Sequence, residues 1–463
     1  MSVPAHHATT RHLGAAYPFA SAEGLGDEGT LIGHDVFGGT FSYDPFELYS
    51  RGVLTNPNML VFGQIGRGKS AFVKSFLWRQ AVFGRRAWVV DPKGEYGRLA
   101  QALGTVPICL RPGGNVRINP LDTPPSLCDA SPAFDGGQAH GLETSARGEA
   151  RSVLGESRSA AGAEIVRQRA ELLAALGEAS LGRSLLPEER AALDLAVSAA
   201  STDTGSGEAK GNTGRARRRA ARCPAPTLPD VVEAMLDPSA ASARLVHTDV
   251  AGLAADGRKL ALELRRLVAG DLRGMFDGLT TPGIDLEGRL VVLDLSAVYR
   301  SAALGILMTC ATAWLQASLA ARGAGQVIVV VDEAWAILGN LAVARWLQSS
   351  WKLSRAYGVA NLAVLHRLSD LGASGPSGSE QAGLARGLLA DSETRVVYAQ
   401  SPGELAGARS SLGLGSTESG LLAGLGRGMA LWQVGRRSFV VQHVLAPAER
   451  GICYTDEQMI GSP

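Results

Sequence analysis

GQIGRGKS, residues Gly63–Ser70, fits the pattern G-x-x-x-x-G-K-[ST]. An apolar run, Met59–Phe62, precedes it, and Lys69–Phe83 follows with the character of a helix. A strand, a glycine loop and a helix start are the context this pattern needs. Glycines let backbone N–H groups turn towards phosphate oxygens, and the helix N-terminus adds its positive end. Lys69 neutralises the β and γ oxygens, while Ser70 offers a hydroxyl to Mg²⁺. The expected nucleotide cradle is Gly63, Gln64, Ile65, Gly66, Arg67, Gly68, Lys69, Ser70 and Ala71, with ATP and Mg²⁺ as cofactors. The competing reading is a glycine-rich turn with a surface lysine, which the flanking strand and helix disfavour.

Downstream, VIVVVDEAW (Val327–Trp335) is an apolar strand ending in two acids. Asp332 is placed to join Ser70 on the magnesium ion, and Glu333 to activate water. A buried strand ending in solvated carboxylates is the plain alternative. The paired acids argue against a simple nucleotide kinase, which has no need of a water-activating glutamate. One strand later, His366 follows the run Asn361–Leu365. In a parallel sheet that strand end faces the γ-phosphate, where a polar side chain can sense hydrolysis.

The rest of the chain supports an α/β fold. Further strands are expected at Thr30–Ile32, Thr40–Tyr43, Ala87–Val90, Val106–Leu110, Leu290–Leu293 and Arg395–Tyr398. A hairpin over Met429–Val434 and Ser438–Val444 turns at Gly435. Val and Leu runs without polar alternation mark strands buried on both faces. Between Asp122 and Asp285 the composition shifts to Ala, Arg and Glu, with Ile165, Leu172, Leu173 and Leu176 on one helical face. Thr227 and Asp230 form a capping-box pattern before Val231–Leu236. Ser201–Pro226, poor in apolar residues, is expected to be a mobile loop carrying an arginine cluster, Arg215–Arg222, of a kind that can touch nucleic-acid backbone. The expected units are 1–55 (tail and small β segment), 56–121 (core), 122–285 (helical insertion), 286–450 (core) and 451–463 (tail).

Global properties set limits. A net charge of +1 supplies no overall field for a polyanion, so any polymer must be met locally. Six of the 45 basic residues are lysines, and three of these (Lys69, Lys74, Lys93) surround the phosphate loop. Asp91, Lys93 and Glu95 read equally well as a coupling loop or as a turn of solvated charges. Five scattered cysteines without a CxxC pair suit reduced thiols in the cytoplasm, with no structural metal. Ser301–Ala321 lacks charge, but its Thr309, Thr312 and Gln316 suit a helix covering the sheet better than a membrane span.

Taken in order, GQIGRGKS, DPKGEY (Asp91–Tyr96), INPLD (Ile118–Asp122), MFDG (Met275–Gly278), VVVDEAW and LAPAE (Leu445–Glu449) resemble type IV secretion ATPases of the VirB-four/TraC-like conjugal-transfer group, in the HerA–FtsK superfamily. The resemblance spans Leu31–Glu449. It implies a RecA-like P-loop core with an inserted α-helical lobe and a homohexameric ring. It also implies DNA or protein as cargo and inner-membrane channel components as partners. The expected location is the cytoplasm, or the cytoplasmic face of the inner membrane as a peripheral protein. By this resemblance Lys69 and Ser70 are the Walker A pair and Asp332 and Glu333 the Walker B pair. His366 stands where the family has Gln, and Arg355 matches the arginine supplied in trans to a neighbour's nucleotide. By this resemblance the family's large N-terminal domain is expected to be reduced here to about fifty residues. A double-stranded DNA translocase of the HerA or FtsK type is the alternative function, and a small-molecule P-loop kinase a more distant one.

Overall fold

The computed structural model describes residues 25–122, 144–203, 225–286, 288–301, 303–322, 325–338, 341–354, 358–366 and 380–454. In chain order the strands are β1 (Thr30–Asp35), β2 (Thr40–Tyr43), β3 (Met59–Phe62), β4 (Arg86–Asp91), β5 (Ile108–Cys109) and β6 (Leu290–Asp294). They continue with β7 (Val327–Val331), β8 (Val359–Leu365), β9 (Thr394–Tyr398), β10 (Met429–Val434) and β11 (Arg437–His443). All join one sheet in the order β2-β1-β11-β10-β9-β3-β8-β7-β4-β6-β5. The strands from β9 to β5 run parallel, and β10, β11, β1 and β2 extend the sheet antiparallel.

The period of two along each buried strand divides the core into two layers. Leu60, Phe62, Trp88, Val90, Val329 and Val331 face one side. Met59, Val61, Val89, Ile328 and Val330 face the other. On the second side lies the helix after the glycine loop, α2 (Lys69–Val82), following a short α1 (Pro45–Ser50). Its Phe72 and Phe76 pack with Tyr43 and Trp432, with ring centroids 5.2–6.1 Å apart. The N-terminal β segment is thus part of the main sheet, not a separate unit. The Tyr43 hydroxyl also bonds Thr394 Oγ1 at 2.8 Å.

After α3 (Gly97–Ala102), the first side receives the helical lobe: α4 (Thr144–Leu181), α5 (Pro187–Asp203), α6 (Leu228–Leu236), α7 (Ala240–Leu245) and α8 (Val250–Ala269). Leu172, Leu173 and Leu176 are buried, and Ile165 is half-buried on the same face. The capping box at Thr227 and Asp230 is present. The INPLD and MFDG segments pin the lobe where it leaves and rejoins the sheet. Ile118 N–H donates to Met275 O at 2.7 Å, Arg117 Nε to Asp277 at 2.9 Å, and Trp314 Nε1 to Asp122 at 3.3 Å. The residues from 204 to 224, which hold most of the expected loop and the arginine cluster, lie outside the described residues. Its two edges differ from a loop reading: Ser201–Asp203 complete α5, and Ala225 is buried.

The uncharged run beginning at Ser301 becomes α9 (Leu304–Arg322), with Leu307, Met308, Ala311 and Trp314 buried against the sheet. Its threonines bond their own helix: Thr309 Oγ1 donates to Gly305 O at 2.7 Å and Thr312 Oγ1 to Met308 O at 2.8 Å. Among the described residues no helix is long and apolar enough to cross a membrane. The chain continues through α10 (Trp335–Leu338), α11 (Leu341–Ser354), α12 (Glu380–Ala390), α13 (Pro402–Leu412), α14 (Ser416–Gly424) and α15 (Pro447–Cys453). The strand expected over Val106–Leu110 contracts to Ile108–Cys109, at the sheet edge with a single neighbour, β6. The cysteines among the described residues, Cys109, Cys310 and Cys453, are free thiols.

Candidate nucleotide site

The glycine loop leaves β3 at the centre of the parallel sheet and enters α2. Gly63, with φ 152°, comes so close to β9 that a Cβ there would lie 2.4 Å from Tyr398 Cβ. Gly68, with φ 110°, is the left-handed N-cap of α2. Both conformations belong to glycine, so the loop can bring backbone N–H groups to an anion without side-chain obstruction. Lys69 is buried, and its Nζ donates to the carbonyls of Gly63 and Gln64, the latter at 2.9 Å. Arg67 is held at the loop tip by Gln64 Oε1, 3.2 Å away, whereas Ile65 stands exposed. Ser70 and Ala71 follow in the first turn of α2, both half-buried. A cavity of about 570 Å³ opens beside the loop, bounded by Gln64, Gly66, Arg67, His366, Gln400 and Arg427. That is within the size range of small-ligand sites.

The acidic half of the site comes from β7, which lies between β8 and β4. Asp332 and Glu333 follow its last residue and are both buried. Glu333 sits at φ 53°, in the left-handed region that side chains rarely adopt. Its N–H donates to Asp332 Oδ1 at 2.9 Å, which secures the turn. Strain of this sort concentrates at functional positions. No direct hydrogen bond joins Ser70 to Asp332 among the described residues; what they share is the C-terminal edge of the parallel strands, where ligands bind in such sheets.

The surroundings of Glu333 are more elaborate than the sequence suggested. From β8, His366 Nε2 lies 2.8 Å from both carboxylate oxygens. From the β4 side, Lys93 Nζ forms an ion pair with Oε1. Trp335 Nε1 donates to Oε2. Burial alone would raise this carboxyl, but the hydrogen bonds from His366, Lys93 and Trp335 outweigh it and bring it down to about 2. Asp332 has the opposite fate. Burial, with Glu333, Asp91 and Glu95 nearby, pushes it up to about 6, while the Tyr96 hydroxyl donates to its Oδ2 at 3.2 Å. A divalent cation beside Asp332 would relieve that crowding, and glycine loop, lysine, serine and buried acid together fit Mg-ATP.

His366, expected to face the γ-phosphate, has its ring at the border of the cavity and its hydrogen bond to Glu333. Asp91–Tyr96 is not a turn of solvated charges. Asp91 is buried and accepts N–H groups of Lys93, Gly94 and Tyr96 at 3.2, 2.8 and 2.9 Å. Local sequence singles out neither Lys93 nor Trp335 as a neighbour of Glu333. The clustering of scarce lysines near the loop and the place of Lys93 within DPKGEY are the signals that point to it. Arg355 lies outside the described residues.

No protein-family profile matches the sequence, nor does any curated protein. Solved structures do match. Against VirB4 of Thermoanaerobacter pseudethanolicus the TM-score is 0.65 at 19% identity, over 92% of this chain and all of that one (100%). Against the bacterial conjugative coupling protein TrwBdeltaN70, in its trigonal form in complex with sulphate, the TM-score is 0.52 at 14% identity, over 94% of this chain and 92% of that one. The unbound monoclinic form gives 0.50 at 12% identity, over 90% and 91% of the two chains. The motif resemblance and the fold agree, and the chain has the P-loop NTPase fold of VirB4 and TrwB.

Proposed function

We propose that this chain is an ATP-hydrolysing motor that powers macromolecule transfer in a type IV secretion or conjugation system. The observation that carries the reading is the convergence of Lys69 and Ser70, Asp332 and Glu333, and His366 at one edge of the sheet, in a fold shared with VirB4 over 92% of the chain. Lys69 and the loop N–H groups bind the phosphates. Ser70 and Asp332 are the residues that hold Mg²⁺, which when bound neutralises the charge developing on the phosphoryl oxygens. Glu333 orients a water and accepts its proton, and His366 fixes the carboxylate that does so.

The assembly that follows from this reading is a homohexamer in which Arg355 reaches the neighbouring subunit's nucleotide. DNA or protein is the cargo, inner-membrane channel components are the partners, and the cytoplasmic face of that membrane is the site of action. Steady-state ATP hydrolysis by the wild type and Lys69→Ala tests the core claim. Turnover should vanish in the variant, and equal turnover would refute the assignment. Double-stranded DNA added to the same assay separates the two motor readings. Strong stimulation without membrane components favours a HerA- or FtsK-type translocase, and co-purification with channel components favours the secretion motor.

A further inference from the structure

Resting on the hydrolytic reading above, we propose that Lys93 is a positioning residue that restrains Glu333, so that ATP turnover requires the Lys93–Glu333 ion pair to open. The two strands beside β7 each deliver one group to this carboxylate: His366 follows β8, and Lys93 follows β4. Trp335, two residues on at the start of α10, supplies the third. A carboxylate has about four lone-pair directions. Lys93 and His366 draw on Oε1, Trp335 and His366 on Oε2, and the side chain itself is only 2% exposed. A general base needs an oxygen open to its water at hydrogen-bond distance. With these donors in place, Glu333 is well anchored and poorly available.

Of the three donors, Lys93 is the one built to leave. His366 terminates a strand whose seven residues are all buried. Trp335 is tied to Glu333 by the chain. Lys93 instead stands on a separate loop, its ammonium at the end of a flexible four-carbon stem. The Asp91 carboxylate holds the backbone of that loop through Lys93, Gly94 and Tyr96, so the side chain can swing without the loop unravelling. While paired with Glu333, Nζ also lies over the Tyr299 ring, 6.0 Å from its centroid, a face that can retain the cation once the ion pair opens. The loop also touches the segment after β6: a Cβ on Gly94, which has φ 72°, would lie 3.1 Å from Ser296 Cβ.

The experiment compares wild type, Lys93→Ala, Lys93→Met, Lys93→Arg and Lys69→Ala as full chains, in steady-state hydrolysis of Mg-ATP. Releasing one charge-assisted hydrogen bond from the base should raise kcat by about tenfold in Lys93→Ala, with KM unchanged. Lys93→Met, which keeps the stem and its packing, should behave the same. Lys93→Arg, which keeps the charge, should stay at the wild-type rate. Lys93→Ala and Lys93→Met at or below the wild-type kcat would overturn the proposal. The control separates the two claims. Wild-type turnover that survives Lys69→Ala sinks the hydrolytic reading, whereas turnover lost in Lys69→Ala but not raised in the Lys93 variants sinks the restraint alone.

Discussion

His366 Nε2 and the Glu333 carboxylate meet at 2.8 Å, joining the ends of two adjacent parallel strands. An ionised carboxylate only accepts, so Nε2 carries the hydrogen and Nδ1 does not have to. Nδ1 has no partner among the described residues. The histidine thus donates to Glu333 and orients its carboxylate. Replacing His366 with Ala should lower kcat by about 10–100-fold and leave KM for ATP nearly unchanged. His366→Gln should recover part of the loss, because its amide N–H can still donate to Glu333. An alanine variant with wild-type kcat would reduce His366 to a packing role.

Glu333→Gln keeps the shape of the carboxylate but cannot take a proton from water. ATP should bind normally, while turnover falls on the order of 10³-fold. Nucleotide retained by the purified variant after gel filtration gives a direct reading. Prompt release as ADP would move the base elsewhere.

Much of this fold is written in local pattern. Met59–Phe62 and Val327–Val331 are apolar at every position, which only a strand covered on both faces explains, and both lie within a residue of where periodicity puts them. The phosphate loop was legible because its chemistry demands glycine at Gly63 and Gly68. The Glu333 cage was not. Lys93 and His366 lie far from Glu333 in the chain and meet it only because β4 and β8 flank β7, a strand order that no local pattern encodes. The meaning of LAPAE was hidden for the same reason, since its partner is on α2.

That partner is Arg79. Its guanidinium grips Glu449 through Nε–Oε1 and Nη2–Oε2 at 2.7 and 2.6 Å. It also donates to the carbonyls of Leu31 and Ile32 on β1 and of Val444 just past β11. One side chain thereby ties the phosphate-loop helix to the antiparallel end of the sheet. Glu449 is 4% exposed, so removing its partner leaves a carboxylate buried without a counter-charge. Arg79→Met should destabilise the chain by about 3–5 kcal/mol, because breaking a buried pair costs far more than forming it gained. Urea unfolding measures this. The double variant Arg79→Met/Glu449→Gln should recover a large part of the loss, and a double variant as unstable as the single one would place the cost in the lost carbonyl contacts instead.

His443 gives the same region a pH dependence. It closes β11 against α2: Ser75 Oγ lies 2.8 Å from its Nε2, and its ring meets Phe72 edge-on with centroids 5.7 Å apart. Burial, reinforced by the nearby Arg79 charge and only partly opposed by Glu449, brings it from 6.5 down to about 4. A histidine depressed in this way is neutral when folded but charges readily when unfolded. The unfolded chain therefore takes up a proton first as pH falls, and folding stability declines between about 6.5 and 4. The full contribution is present above that window. The loss across it amounts to about 3 kcal/mol, from 1.36 kcal/mol per unit. Glu449 is held below its ordinary 4.5, so its own acid contribution is lost only below that pH, under most of the histidine window. Asp332, raised to about 6, binds a proton on folding over part of the same window and opposes this loss, so the histidine is read as a difference: in urea unfolding the wild type should lose stability relative to His443→Gln between pH 7 and pH 4.5. His443→Gln, with no titrating ring, should start less stable at pH 7, and the gap between the two proteins should narrow as pH falls through that range. Parallel profiles for the two proteins would assign the acid sensitivity to other groups.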